Sequence, residues 1–281
     1  MSDIKTQDSP KILSDLREIG IEMHDYRRPI YKYTSAETAK IILEKCSIRF
    51  RVPSTFNDPF EFYLDLFDTS LSSREFKDNL DAIMRRDPNM SATKRKGLLQ
   101  KTSINFFKKT YRELLELQRE RSMVFCASAI NNDILMWSHY ANCHKGVCLG
   151  IMMPPIVDSL DCITMRVNYT DVIKPKKFYT QDLDKRHIAV MYWVFTKAAC
   201  WSYEKEIRSF IRNETNQLKV NKDKCIDVEL QPSQLTEIYF GLETSDKDIS
   251  DIQSIVREKG YPISVMKRMT KVKRAFALTT A

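Results

Sequence analysis

Apolar and polar positions divide the chain into strand-rich ends and a helical middle. Ile12, Leu13, Leu16 and Ile19 recur at helical spacing behind Ser9-Pro10. They predict a capped helix that ends near Gly20, in an N-terminal appendage over residues 1–28. Ile30-Tyr31-Lys32-Tyr33 is a short run of β-formers and predicts a strand. Thr34 or Ser35 then caps a helix that carries Ala39, Ile42 and Leu43 on one face. Residues 48–52 alternate apolar and basic, which marks a half-exposed strand, and residues 53–59 form a turn-rich loop.

Residues 70–120 are expected to be helical. Ser72 and Glu75 make a capping box, Leu71 and Phe76 a staple, and Phe76, Leu80, Ile83 and Met84 one apolar face. Beyond Asp87-Pro88-Asn89, Leu99, Phe106, Leu114 and Leu117 outline a second helix, so the block reads as an inserted helical hairpin. Strands are expected at 123–128, 147–151, 163–169, 207–211, 238–240 and 263–266, and helices at 133–142, 182–196 and 246–259. The order predicts a single α+β domain over residues 29–281 with a mixed or antiparallel sheet.

Composition narrows the class. The 281 residues include only 6 Gly and 10 Pro, with 29% charged and 43% hydrophobic residues, which excludes disorder and collagen. No apolar run is long enough to span a bilayer, and the opening MSDIKTQDSPK lacks the pattern of a secretion signal. The 7 scattered cysteines read as free thiols, so a reducing cytoplasm is the expected location. The net charge of +8 is segregated: residues 85–112 carry nine Lys/Arg against one acid, and residues 266–281 five against none. Such tracts suit an anionic macromolecule, DNA or RNA, although each is also compatible with a solvated face.

Candidate chemistry lies in three clusters. The first is residues 135–146, where Trp137 and Tyr140, and Met136 and Tyr140, stand at same-face helical spacings. Trp137, His139 and Tyr140 could stack on and hydrogen-bond a planar base. His139, Cys143, His144 and Cys148 lack a second ligand pair, so no metal is expected. The second cluster runs from Lys197 through Trp201 to Arg208. A strand beginning near Tyr203 would put Glu204, Glu206 and Arg208 on one face, the carboxylates about 7 Å apart. Burial there would suit catalysis, and mutual ion pairing on a solvent face is the alternative. The third cluster, Ser54 to Glu61, gathers Asn57, Asp58 and Glu61 among phenylalanines and by itself is a turn. The chain has no GxGxxG, P-loop, HExxH or GxSxG.

These segments resemble a known pattern. YKYTSAETAKIIL, RFRVPSTFNDPFE, FCAS, LMWSHYANCHKGVCLG and KAACWSYEKEIRSFI are similar to the bacterial domain-of-unknown-function family 2971, from about Tyr31 to Phe240. A more distant resemblance, carried by the strand–helix–strand opening and by Glu204-Lys205-Glu206, is to the ADP-ribosyltransferase fold. That resemblance implies NAD as co-substrate, with Glu206 as the catalytic glutamate and Glu204 orienting the acceptor. It further implies that Ser128 supports the glutamate and that Tyr31, Lys32 and Tyr33 lie on the cofactor-binding strand. Tyr33, Trp137 and Tyr140 compete for stacking on nicotinamide, and Asn57, His139, Lys197, Trp201 and Arg208 complete the expected binding set. The implied function is ADP-ribosyl transfer to nucleic acid or protein, as in a toxin or phage-defence effector. A non-catalytic nucleic-acid-binding module and a metal-independent nucleotide or nucleic-acid hydrolase are the alternatives.

Overall fold

The computed structural model describes residues 10–154, 156–157, 162–179, 182–212 and 218–280. The expected cap Ser9 lies outside them. α1 (Pro10–Glu18) ends at Gly20, whose φ of 80° turns the chain into β1 (Glu22–Met23). This N-terminal segment packs into the domain rather than standing ahead of it, because Leu16 and Ile21 are fully buried and β1 joins the main sheet. After β2 (Ile30–Thr34), Ser35 caps α2 (Ala36–Lys45) by accepting from Thr38 N at 3.1 Å. Left-handed Cys46 then leads into β3 (Ser47–Arg51). A 3₁₀ turn at Pro53–Thr55 opens the following loop, which reaches β4 (Phe67–Asp68).

The insert holds three helices: α3 (Ser73–Met84), α4 (Ala92–Lys101) and α5 (Ile104–Arg121). The expected Ser72/Glu75 capping box opens α3. The expected two-helix hairpin is corrected at Thr102-Ser103, where Ser103 Oγ accepts from Phe106 N at 3.1 Å and starts a new helix. Neither Gly nor Pro marks that break, and the apolar spacing runs across it.

The rest of the chain supplies β5 (Ser122–Ser128), α6 (Ile134–Tyr140), β6 (Val147–Ile151), β7 (Ile156–Val157), β8 (Cys162–Arg166) and β9 (Asn168–Tyr169). β10 (Lys176–Lys177), α7 (Leu183–Phe195), β11 (Thr196–Lys197), β12 (Glu206–Arg212) and β13 (Cys225–Glu229) follow. β14 (Leu235–Phe240), α8 (Asp246–Lys259), β15 (Val265–Lys271) and β16 (Leu278–Thr280) complete it. The strand expected over 163–169 is interrupted at Val167, whose N–H turns to the Glu206 carbonyl at 3.0 Å.

The main sheet runs β1-β8-β12-β5-β2-β6-β14-β15-β16, with β3, β13 and β7 attached at its flanks. Its pairings are antiparallel except β14 with β15, the one linked by the α8 crossover. The architecture is therefore mixed α+β around a sheet of mixed orientation, as the alternation of elements in the sequence predicts. Along β12, Ile207 and Ile211 enter a core with α2 and α8, whereas Phe210 enters a second core with α7 and the insert. Period-two alternation thus gives each face its own core, and Glu206 and Arg208 share the Phe210 face. Among the described residues no helix is long and apolar enough to cross a membrane. All seven cysteines are free.

Candidate functional site

β12 lies antiparallel to β5 in a register that sets Glu206 opposite Ser128 and Arg208 opposite Cys126. β5 meets β2 at one position only, Tyr31 opposite Ser128, and then pairs with β3 at Val124 opposite Arg51. Between the diverging strands lies a pocket of about 390 Å³. β2 contributes Tyr31, Lys32 and Tyr33, β5 contributes Cys126, and Glu61, Tyr140, Lys197, Glu204 and Glu206 contribute its polar groups.

An ion cluster forms the floor. Arg208 is fully buried; its Nε donates to Glu206 Oε1 at 2.9 Å, and its terminal nitrogens reach Glu61 Oε1 at 3.0 Å and the Val194 carbonyl. Lys197 Nζ lies 2.6 Å from Glu204 Oε2, 3.1 Å from Glu206 Oε2 and 3.3 Å from Glu61 Oε1. Tyr140 donates its hydroxyl to Glu204 Oε1 at 2.5 Å. Glu61 Oε2 is buried with no hydrogen-bond partner among the described residues. Such a network is costly unless its members are paired, because each ion has lost its water.

The two buried carboxyls closest to Arg208 are driven apart. Burial would raise Glu206, but Arg208 and Lys197 outweigh it and hold the carboxyl well below the usual carboxylate range. At Glu61 burial prevails over Arg208, Glu206 adds to it, and the carboxyl is pushed up. Lys197 would be lowered by burial, yet Glu206, Glu61 and Glu204 keep it firmly protonated. Burial and the bond to Glu204 push the Tyr140 hydroxyl up, so it remains a donor. Burial lowers Lys32, whose Nζ donates to the Cys126 carbonyl at 2.9 Å. The site therefore pairs a firmly ionised carboxylate with a carboxyl that holds a proton readily, an arrangement suited to acid–base work.

Local backbone explains the convergence. The strand expected from Tyr203 begins only at Glu206, because Ala199–Glu204 is a 3₁₀ turn closed by left-handed Lys205 at φ 44°. Ser128 Oγ donates to the Glu204 carbonyl at 2.6 Å and pins that turn against β5. Glu204 thus reaches the pocket from a turn rather than from the strand face. Phe62, buried at a left-handed φ of 55°, presents Glu61 from the other side; a bulky residue rarely adopts that conformation.

Eight of the sequence-predicted site residues line this pocket: Tyr31, Lys32, Tyr33, Asn57, Tyr140, Lys197, Glu204 and Glu206. Three support it from behind, Ser128 under Glu204, Arg208 under Glu206, and Trp201 with its ring 5.0 Å from Lys197 Nζ. The two others lie apart. Trp137 is fully buried, its ring centroid 5.2 Å from that of Tyr33 and its Nε1 bonded to the Asn131 carbonyl, so its face is not offered to a ligand. His139 is exposed beside the Tyr203 hydroxyl at 3.1 Å. The joint Trp–His–Tyr platform is corrected accordingly: i,i+3 spacing on this helix sends Trp137 to the core and Tyr140 to the pocket. Met136 joins Tyr140 there, as i,i+4 spacing predicts. α6 ends before the left-handed run Asn142, Cys143 and His144.

Two contributors had no role in the site as read from the sequence, Glu61 standing only within the third cluster and Tyr169 in none. Glu61 sits in a segment that reads as a turn, and its one signal is a glutamate embedded between Phe60 and Phe62. Tyr169 accepts the Glu206 N–H at 2.7 Å from the end of an alternating strand, where no local signal marks it.

No curated protein and no solved structure matches the chain. The family resemblance read from the sequence holds over residues 136–209, which contain Tyr140, Lys197, Glu204, Glu206 and Arg208 and match the model of the family described as a protein of unknown function (DUF2971).

Proposed function

We propose that the pocket between β2 and β5 is the active site of an NAD-using ADP-ribosyltransferase-like enzyme. One observation carries the reading: β2 and β5 part after a single pair, and Glu204, Glu206 and Tyr140 meet in the gap. The residues fit a dinucleotide. A second cavity of about 370 Å³ shares Lys32, Tyr33, Arg51, Phe56 and Cys126 with the first and adds Lys45, together with Arg49 paired to Asp227. Anionic phosphates suit this basic half, and ribose hydroxyls suit the carboxylate half. Bound there, NAD supplies an ADP-ribosyl group with nicotinamide as leaving group.

Glu206, held ionised by Arg208 and Lys197, places fixed negative charge where positive charge develops on the ribose. Glu204, fixed between Tyr140 and Lys197, orients the acceptor. Glu61 Oε2 is the buried carboxyl oxygen open to a proton from that acceptor. Titration with NAD at moderate salt, following heat and free nicotinamide together, tests the reading. Binding with slow nicotinamide release is expected, and a folded sample that binds no NAD overturns it.

A second reading, nucleic-acid binding, is favoured by the β15–β16 end. There Lys267, Lys271, Lys273 and Arg274 make no ion pair among the described residues, and Phe276 is fully exposed. The other basic tract is weaker: Arg85 and Arg95 pair with Asp81, Lys109 with Glu113, and Arg112 with Glu116. Affinity for single-stranded DNA that falls steeply with salt supports this reading.

A further inference from the structure

A third cavity, of about 350 Å³, lies between the helical insert and α7, remote from the pocket above. β5 and β12 run from one to the other: Ser128 and Glu206 mark the first, Ser122 and Arg212 the second. Six residues of strand separate them, about 20 Å.

Four arginines from four parts of the fold line it. Arg86 follows α3, Arg121 ends α5, Arg186 lies on α7 and Arg212 ends β12. No acidic residue is among the described lining residues. Neither Arg86 nor Arg121 forms an ion pair among the described residues. The floor is aromatic, with Trp193 and Phe210 both buried. Trp193 is 1% exposed, and its Nε1 has no hydrogen-bond partner among the described residues. A buried indole N–H is ordinarily bonded, so the cavity wall carries an unmatched donor beside Arg86 and Arg121, which have no ion pair among the described residues. Burial lowers Arg186; the neighbouring Tyr111 opposes the shift and Arg86 adds to it. The volume is that of a small-molecule site, and its apolar floor beneath a cationic rim complements a ligand of the same duality.

We propose that this cavity binds an amphiphilic organic anion, its planar or apolar body against Trp193 and Phe210 and its phosphate, sulfonate or carboxylate head on Arg86 and Arg121. Planar guanidinium groups suit such heads because they offer two parallel donors. The site is independent of the NAD reading and can be tested without NAD.

The experiment is a fluorescence titration of the full chain with 1-anilinonaphthalene-8-sulfonate, an aromatic sulfonate. Saturable binding is expected, weakened about ten-fold or more in the Arg86→Ala/Arg121→Ala double variant, as for loss of charged hydrogen bonds. Lys109→Ala, on the same insert but outside the cavity, should bind as the unaltered chain does. Matching melting curves establish that the variants are folded. Displacement by adenosine monophosphate assigns the natural ligand to the nucleotides, and displacement by laurate assigns it to fatty acids; either supports the proposal. No binding, equal binding by the double variant, or probe displaced by neither competitor overturns it.

Discussion

The Tyr140 hydroxyl donates to Glu204 Oε1 at 2.5 Å and thereby joins the end of α6 to the turn preceding β12. The two residues are 64 positions apart. The bond couples the aromatic helix to the carboxylate cluster and fixes one edge of the candidate site. Tyr140→Phe removes only this hydroxyl. It should leave the chain folded, with a melting loss of a few degrees, and lower nicotinamide release about ten-fold or more with little change in NAD affinity. Steady-state kinetics on the folded variant check this.

Arg208 is the cation on which the buried cluster depends. Arg208→Met leaves Glu61 and Glu206 facing each other with Lys197 as their remaining partner. Removing one member of a buried ion pair costs about 3–5 kcal/mol, which corresponds to about 6–20 °C in melting temperature for a chain of this size. Calorimetry of the variant measures it directly.

The opposed shifts at Glu206 and Glu61 give opposite pH dependences. Glu206 is depressed, so its contribution is present above the unfolded value of about 4.3 and is lost as pH falls through its folded value. Glu61 is raised, so its folded form holds a proton that the unfolded chain gives up. Its contribution therefore declines as pH rises from about 4.3 towards its folded value. Glu61→Gln removes the second limb alone. Urea midpoints between about pH 4 and 8 should fall less with rising pH in the variant than in the unaltered chain.

Two glycines should respond with opposite signs to alanine. A Cβ on Gly241 would meet the His144 carbonyl well inside contact distance, and that carbonyl belongs to the backbone that closes α6. Gly241→Ala should destabilise by about 1–3 kcal/mol. Gly97, on α4, has nothing within 4 Å of the added carbon. Gly97→Ala should stabilise by about 0.5–1 kcal/mol through helix propensity. Thermal melts of the two variants side by side test both signs.

Local pattern made most elements legible, because β6 is a continuous buried apolar run and α8 buries one face between its Ser245 cap and Gly260. What it could not carry was the non-local part. The turn at Glu204 depends on Ser128 reaching across from β5, whereas the break at Ser103 is local and was hidden only because its serine cap has no helix breaker beside it. The site was legible to the same extent. Glu204, Glu206, Lys197 and Arg208 stand close in sequence, so one cluster announced them, and Tyr140 followed from helical spacing. Glu61 reaches them across 147 positions through Arg208, a contact only the fold creates. Trp137 misled because spacing fixes angles around a helix and does not say which side the core occupies.

Action of the carboxylates between β2 and β5 on NAD has a direct kinetic signature. The most direct measurement is the rate of nicotinamide release by the unaltered chain and by Glu204→Gln and Glu206→Gln, each melted alongside to establish folding. Both variants should fold, Glu206→Gln with the lower melting temperature because, besides weakening the hold on Lys197 as Glu204→Gln does, it releases the buried Arg208. Slow release by the unaltered chain is expected, with a loss of at least about a hundred-fold in Glu206→Gln. Release unchanged in both folded variants, or absent from the unaltered chain, would contradict it.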